Sequence, residues 1–392
     1  VCHSYSLIAG RLYTPTRRLE NAFIQVENHR VTTVEANSHQ RQATYDFSDA
    51  IVIPGLVDLQ VNGALGFSFQ ADHRRHFNDI FAYHNAHGTT SFLPTLITAA
   101  PETLVESLEV LSQYLAGLTS FYPGIHLEGP FLSPEKSGAH DPQSLCLPDL
   151  SLALRYLDAA RGMIRILTLA PELPGAFSVI HEMHQRGVII SAGHTAATYD
   201  QLKEAIQHGL SFVTHAGNAS DWPHRKVGEL GFLASEPGLV GTLISEEDLA
   251  GSVIMDSFHF HPALLAPVLK LKGPNRLLLV SDASTVAGCP PGEYQSGGLV
   301  VTIHPEGFAT SGRGGGWLAG STITLLDAVV RSVQLGGISL QQAVHMATLG
   351  PARRIGIAQN KGHLEPGADA DLVVLNQDLS LRTVLSHPST TS

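Results

Sequence analysis

Cysteine is scarce in this chain: Cys2, Cys146 and Cys289 stand far apart in 392 residues. That excludes a disulfide framework and a C-x-x-C metal motif, and it fits a reducing compartment. Basic runs are missing too, and the formal net charge is −11, so no nucleic-acid partner is expected. No apolar run approaches the roughly 18 residues of a membrane span. The N-terminus shows no charged segment followed by an apolar one, the mark of a secretory leader. These absences predict a cytoplasmic protein with no membrane partner. Short-period repeats are absent, and the Gly312-Arg-Gly-Gly-Gly316 loop is the sole low-complexity stretch.

What is present is an ordinary globular composition, 43% apolar, with room for one large domain and a small one. Tyr5-Ser-Leu-Ile-Ala, Ala22-Phe-Ile-Gln-Val and Arg30-Val-Thr-Thr-Val read as short strands, and Gly367-Ala-Asp-Ala-Asp-Leu-Val-Val-Leu375 as a turn and strand. The two ends, 1–53 and 362–392, are therefore expected to form one small β-sandwich domain around a middle at 54–361. In that middle, apolar strands near 55–61, 90–94, 123–128, 164–170, 188–193, 211–215, 251–256 and 277–282 alternate with helical stretches such as 72–87, 102–117, 174–186, 198–208 and 262–271. Strand, helix and parallel strand in this rhythm predict an α/β fold, a (β/α)8 TIM-like barrel. An open doubly wound sheet is the alternative, but no G-x-G-x-x-G follows the first strand.

Chemistry in such a barrel lies at the C-terminal strand ends. The strand from Tyr122 ends on Glu128 and is stopped by Gly129-Pro130; those from Val188 and Ser211 end on His194 and His215; the one from Leu277 ends on Asp282. Taken singly, these would be a salt-bridged glutamate, hydrogen-bonded histidines and a helix-capping aspartate. Their shared placement makes Glu128, His194 and His215 a candidate site for one divalent metal. Two imidazoles and a carboxylate suit zinc, and also iron or cobalt, and three ligands leave room for water. Asp282 is the candidate base and then acid.

His259, within Asp256-Ser-Phe-His-Phe-His261, is a candidate to polarise a substrate carbonyl. His261, before Pro262, reads as structural. His126 shares a strand face with Glu128 and reads as core packing. Many metal hydrolases of this fold carry His-x-His on the first strand. Here that place reads Asp58-Leu-Gln60-Val-Asn62. Amides are poor zinc ligands, so a single metal is expected, with Gln60 or Asn62 at most touching its water. Arg225 and Lys226, with Asn218 and the backbone after it, are candidates to hold an anion such as phosphate, a solvated loop pair being the competing reading. His140 is a candidate for substrate hydroxyls. The glycine-rich loop ending Trp317-Leu-Ala-Gly-Ser321 either covers the substrate or is a surface connection.

Eight stretches, in order, carry a resemblance. They are Pro54-Gly-Leu-Val-Asp-Leu-Gln-Val-Asn-Gly63, His126-Leu-Glu-Gly-Pro-Phe131, Gly193-His-Thr195, Thr214-His215 with Asn218-Ala219, Leu279-Val-Ser-Asp-Ala283, Leu318-Ala-Gly-Ser321, Ala347-Thr-Leu-Gly-Pro-Ala-Arg353 and the run Gly362–Leu375. The chain resembles the N-acetylglucosamine-6-phosphate deacetylases of the amidohydrolase superfamily. The resemblance implies a small-molecule amino-sugar substrate, one divalent metal on Glu128, His194 and His215, proton transfer by Asp282 and carbonyl polarisation by His259. It also implies substrate contacts at His140, Asn218, Ala219 and Arg225, with Arg225 reaching the phosphate from the neighbouring subunit of a homodimer. Two departures stand out: Ala216-Gly217 replaces a bulky pair, and Lys226–Ser235 separates the basic position from Glu236-Pro-Gly238.

Overall fold

The computed structural model describes residues 4–37, 41–118, 121–220, 225–227, 232–296, 299–312 and 316–386, with the backbone alone at 225–227 and 232–234. Four strands open the chain: β1 (Tyr5–Tyr13), β2 (Arg18–Glu27), β3 (Arg30–Glu35) and β4 (Tyr45–Pro54). Eight short strands follow through the middle: β5 (Leu56–Val61), β6 (Thr89–Ile97), β7 (Ile125–Glu128), β8 (Ile164–Leu169), β9 (Ile189–Ala192), β10 (Leu210–Val213), β11 (Gly251–Ile254) and β12 (Leu277–Val280). Each matches an expected strand to within a few residues.

Neighbours from β5 to β10 pair in parallel, as do β11 and β12. Two seams complete the ring. Ala216 N–H donates to Ser252 O (2.7 Å) and Ala250 N–H to Ser211 O (3.3 Å), joining β10 to β11. Asn62 N–H donates to Ala283 O (2.8 Å), beside a parallel bridge between Val61 and Ala283, joining β12 back to β5. Helices lie between successive strands, among them Pro101–Leu115, Ala176–Gln185 and Tyr199–His208. Their apolar faces bury Leu104, Leu108, Leu111, Val179, Ile180, Met183 and Leu202 in a core that wraps the outside of the ring. The result is the α/β barrel that the strand–helix alternation predicts.

The barrel interior is layered. Val57, Leu59, Leu93, Ile166, Phe212, Leu278 and Val280 form an apolar cluster closed by Ala352 and Ile355. Those last two belong to or follow the helix Leu349–Arg354, whose Arg354 donates to Ser211 O (2.7 Å) at the start of β10. Above the plug lies a polar layer: His126 Nε2 meets Thr168 Oγ1 (2.7 Å), and Thr214 Oγ1 meets both Thr168 (2.7 Å) and Ser191 (2.6 Å). His126 is thus packed in the core, as expected, and burial pushes its imidazole down to about 4.

After β12 the chain forms an antiparallel sheet of β13 (Gly292–Ser296), β14 (Leu299–Ile303), β15 (Ala309–Ser311) and β16 (Trp317–Leu318). The chain then returns to the N-terminal strands as β17 (Leu372–Leu375) and β18 (Leu381–Leu385), giving one six-stranded sheet in the order β18-β17-β4-β1-β2-β3. Both termini contribute to this separate sheet, as expected. One face buries Leu7, Leu12, Ile24, Val52, Leu372 and Val374 in a core of its own; Ile51, Ile53, Val373 and Leu375 point the other way, into the core around the barrel. This alternation is the period-2 signature of a sheet buried on both faces. Among the described residues no helix is long and apolar enough to cross a membrane.

Candidate metal centre and active site

Glu128 is the last residue of β7. His194, His215 and Asp282 each lie two residues beyond the end of their strand, in Ala192-Gly-His194, Val213-Thr-His215 and Val280-Ser-Asp282. All three take a left-handed backbone, with φ of 49°, 30° and 48°. A non-glycine residue adopts that region at a cost, and such strain concentrates where a side chain must be aimed. Here all three side chains line one cavity with Glu128.

The result is a compact donor set. Glu128, His194 and His215 each offer an atom within 4.8 Å of the others, and all three are buried. His215 Nε2 lies 2.9 Å and His194 Nε2 3.5 Å from Glu128 Oε1. The two imidazole rings stand at 89° with centroids 5.0 Å apart. His194 Nδ1–H donates to Lys136 O (2.8 Å), which fixes its tautomer and turns Nε2 to the centre. Gly138 sits in the same turn with φ of 57°, and a Cβ there would come within 2.9 Å of His194 Cε1. Gln60 Nε2 donates to Glu128 Oε2 (3.1 Å), leaving Oε1 facing the histidines. Two imidazole nitrogens and a carboxylate oxygen at this spacing, oriented from behind, fit a borderline divalent ion.

The electrostatics agree. Burial alone would raise Glu128, but hydrogen bonds from His194 and His215 hold it well below the usual carboxylate range. Burial would lower His215, and its bond to Glu128 outweighs that, lifting it to about 9. Asp282 goes the opposite way to Glu128: burial and the nearby charge of Glu128 push it up to about 6. Asn62 Nδ2 donates to Asp282 Oδ1 at 2.7 Å and favours the ionised form. A carboxyl held near 6 can accept and return a proton near neutral pH.

These groups line a cavity of about 360 Å3 with Thr98, Lys136, His140, Asn218, Ala219, Ser220 and Trp317. His140 packs edge-on against His194, with ring centroids 4.4 Å apart, and its Nδ1 meets Thr98 Oγ1 at 2.9 Å. Burial and the His194 charge push His140 down to about 3. Leu299, Val301, Trp317 and Leu318 of the β13–β16 sheet form a wall of the same cavity. Ala319 and Gly320 line it as well, while residues 313–315 of the glycine-rich loop lie outside the described residues.

His259 is buried and is not among the residues that line this cavity, though it lies close enough to act on Asp282, whose proton affinity it lowers. Asp256 Oδ1 accepts the N–H groups of Phe258 (2.9 Å) and His259 (2.8 Å), and its Oδ2 accepts His259 Nδ1–H at 2.5 Å. Burial raises Asp256, but the bond from His259 overrides it and keeps the carboxyl below its ordinary value. His259 Nε2 is buried with no partner among the described residues. Asp256 carried no role in the sequence; the i, i+3 spacing to His259 was the available signal. His261 is structural, as expected: its side chain accepts Ala263 N–H (3.3 Å) at the start of a 3-10 turn. Arg225 begins a short hairpin strand paired with Ala234, and its side chain lies outside the described residues, as does that of Lys226.

A sequence profile described as the Amidohydrolase family matches residues 51–390. N-acetylglucosamine-6-phosphate deacetylase of Danio rerio is 36% identical over 354 residues, covering 86% of this chain and 83% of its own. N-acetylgalactosamine-6-phosphate deacetylase of Escherichia coli O157:H7 is 30% identical over 336 residues, covering 85% and 86%. Among solved structures, a mutant N-acetyl-D-glucosamine-6-phosphate deacetylase from Mycobacterium smegmatis, in complex with N-acetyl-D-glucosamine-6-phosphate, superposes with a TM-score of 0.88 at 33% identity, over 98% of each chain.

Proposed function

This chain belongs to the N-acetylglucosamine-6-phosphate deacetylase family of the amidohydrolases, and on that ground we propose that it hydrolyses the acetamide of N-acetylglucosamine-6-phosphate to acetate and glucosamine-6-phosphate. The observation that carries the reading is the convergence of Glu128, His194 and His215 within 4.8 Å in a cavity that also holds Asp282. Glu128, His194 and His215 hold one divalent ion, zinc by their donor chemistry. Such an ion, when bound, acidifies water and polarises the acyl oxygen.

The chain's own groups do the rest. Asp282 Oδ2 takes the proton of the attacking water, while Asn62 keeps Oδ1 turned aside. Asp282 then returns the proton to the amine nitrogen as the C–N bond breaks, so the sugar leaves as a neutral amine and the acetyl group as acetic acid, whose remaining proton passes to the amine to give acetate and the ammonium form of the sugar. His259, held by anionic Asp256 on Nδ1, presents Nε2–H to the acetamide oxygen as negative charge grows there. His140, kept neutral by burial, receives a sugar hydroxyl. Asn218 and Ala219 face the phosphate end, and in a homodimer Arg225 of one subunit reaches the phosphate in the other.

Acetate release tests this. N-acetylglucosamine-6-phosphate should turn over, and Asp282→Asn should lose orders of magnitude in kcat while keeping its metal. Metal-replete wild-type protein that releases no acetate from any N-acetylhexosamine would sink the proposal. The relative that acts on N-acetylgalactosamine-6-phosphate supports a second reading, the C4 epimer as substrate. Comparing kcat/KM for the two epimers decides between them.

A further inference from the structure

Asp282 holds a left-handed backbone, with φ of 48°, and a non-glycine residue keeps that shape only where its surroundings enforce it. Ser321 supplies much of the enforcement. It follows Leu318, Ala319 and Gly320 of the cavity wall but does not line the cavity itself. Three hydrogen bonds run from this one residue to the segment around Asp282. Its Oγ–H donates to Ser281 O, its N–H donates to Asp282 O (2.9 Å), and its carbonyl accepts Ser284 N–H (2.9 Å). A carbonyl can only accept, so the hydroxyl proton points at Ser281 O. The same Oγ accepts Ile323 N–H (3.3 Å), and the side chain is buried at 1% exposure.

Asn62 and Ser321 act on different parts of Asp282. Asn62 holds the carboxylate, whereas Ser321 holds the main chain on either side of it. Parallel bridges tie Ala283 both to Val61 and to Ser321, so the turn carrying Asp282 is flanked by two segments. The approach is close: at Gly320, with φ of 58°, a Cβ would lie 3.0 Å from Asp282 O and 3.1 Å from Ser284 Cβ. Any residue except proline could supply the N–H and C=O bonds of position 321. The hydroxyl is what serine adds, and it grips the residue just before Asp282.

We infer that Ser321 is a positioning residue for Asp282: its hydroxyl clamps the Ser281 carbonyl and thereby fixes where the proton-handling carboxylate points. Displacing a reacting group by about 1 Å costs on the order of 100-fold in rate, so a small shift of this turn matters. The inference rests on the role given to Asp282 in the deacetylase reading above.

The test uses full-length, metal-loaded protein and N-acetylglucosamine-6-phosphate. Ser321→Ala keeps both backbone bonds and removes the clamp; its kcat should fall about 10- to 100-fold, with KM and metal content unchanged. Ser321→Cys, close in size but a weaker donor, should fall between alanine and wild type. A double-mutant cycle then separates positioning from general support. If Ser321 acts through Asp282, adding Ser321→Ala to Asp282→Asn should cost nothing further in kcat. A loss as large in the Asp282→Asn background as in wild type marks a structural role and overturns the proposal. So does Ser321→Ala protein with wild-type kcat. If the alanine variant does not fold, Ser321→Cys enters the cycle in its place and is read the same way. Wild-type protein without acetate release defeats the deacetylase reading instead.

Discussion

Asn62 holds Asp282 by a 2.7 Å hydrogen bond from Nδ2 to Oδ1, across the seam where the first and last barrel strands meet. The bond leaves the second carboxylate oxygen for chemistry and lowers the proton affinity that burial raises. Asn62→Ala removes both effects. Its kcat should fall roughly 10- to 100-fold with metal content unchanged. Asp282 works as a base only when ionised, so the acidic limb of the kcat/KM profile should move to higher pH. A limb that stays in place would show that Asn62 does not tune Asp282.

Metal removal should act on stability as well as on rate. Glu128, His194 and His215 come from three different strands, so an ion on them binds the folded chain alone. Dialysis against a chelator should abolish acetate release and lower Tm; zinc at about 100 times its Kd should return on the order of 3 kcal/mol. Glu128→Gln should lose the zinc-dependent rise in Tm. A Tm indifferent to zinc in wild-type protein would contradict the three-ligand site.

Asp256 and His259 form a buried pair joined at 2.5 Å. Asp256→Asn keeps the shape and removes the negative charge that holds His259 Nδ1–H. We expect kcat to drop about 100-fold, with KM and metal content little changed. A drop confined to KM would move His259 from the acetamide to sugar binding.

Asp58 gives a pH signature separate from the metal. It is fully buried on β5, accepting N–H groups of Gln60 and Ser281, and burial pushes its carboxyl up to about 7. The folded chain therefore binds this proton more tightly than the unfolded chain, whose carboxyl titrates at its ordinary value near 4. The stabilisation is full below that value and is lost as pH rises toward 7. Asp58→Asn does not titrate and retains an oxygen for both N–H groups. Its stability relative to wild type should thus increase from pH 4 to pH 7, by on the order of a few kcal/mol, in denaturant titrations. A difference that is flat with pH would show that Asp58 titrates normally.

Much of this molecule was legible because barrel strands are short apolar runs ending on conspicuous polar residues. Glu128, His194, His215 and Asp282 stood out as polar tips on buried stretches, and the fold brings them together. The sheet at 292–318 was harder to read. Its strands are two to five residues long, half-exposed on one face and lining a cavity on the other, so Tyr294 and Gln295 show no clean alternation. Lys136 gave no signal either, being one polar residue in a turn after Pro134. Its place in the cavity wall with Glu128, His194 and Asp282, which lie at the ends of separate strands, exists only in three dimensions.

The seam that seats Asp282 joins the parts of the barrel that lie furthest apart in sequence. Asp282 follows the eighth strand, later in the chain than Glu128, His194 and His215, and it is held by Asn62 at the end of the first. Under the proposed mechanism the site is complete only where the first and eighth strands meet.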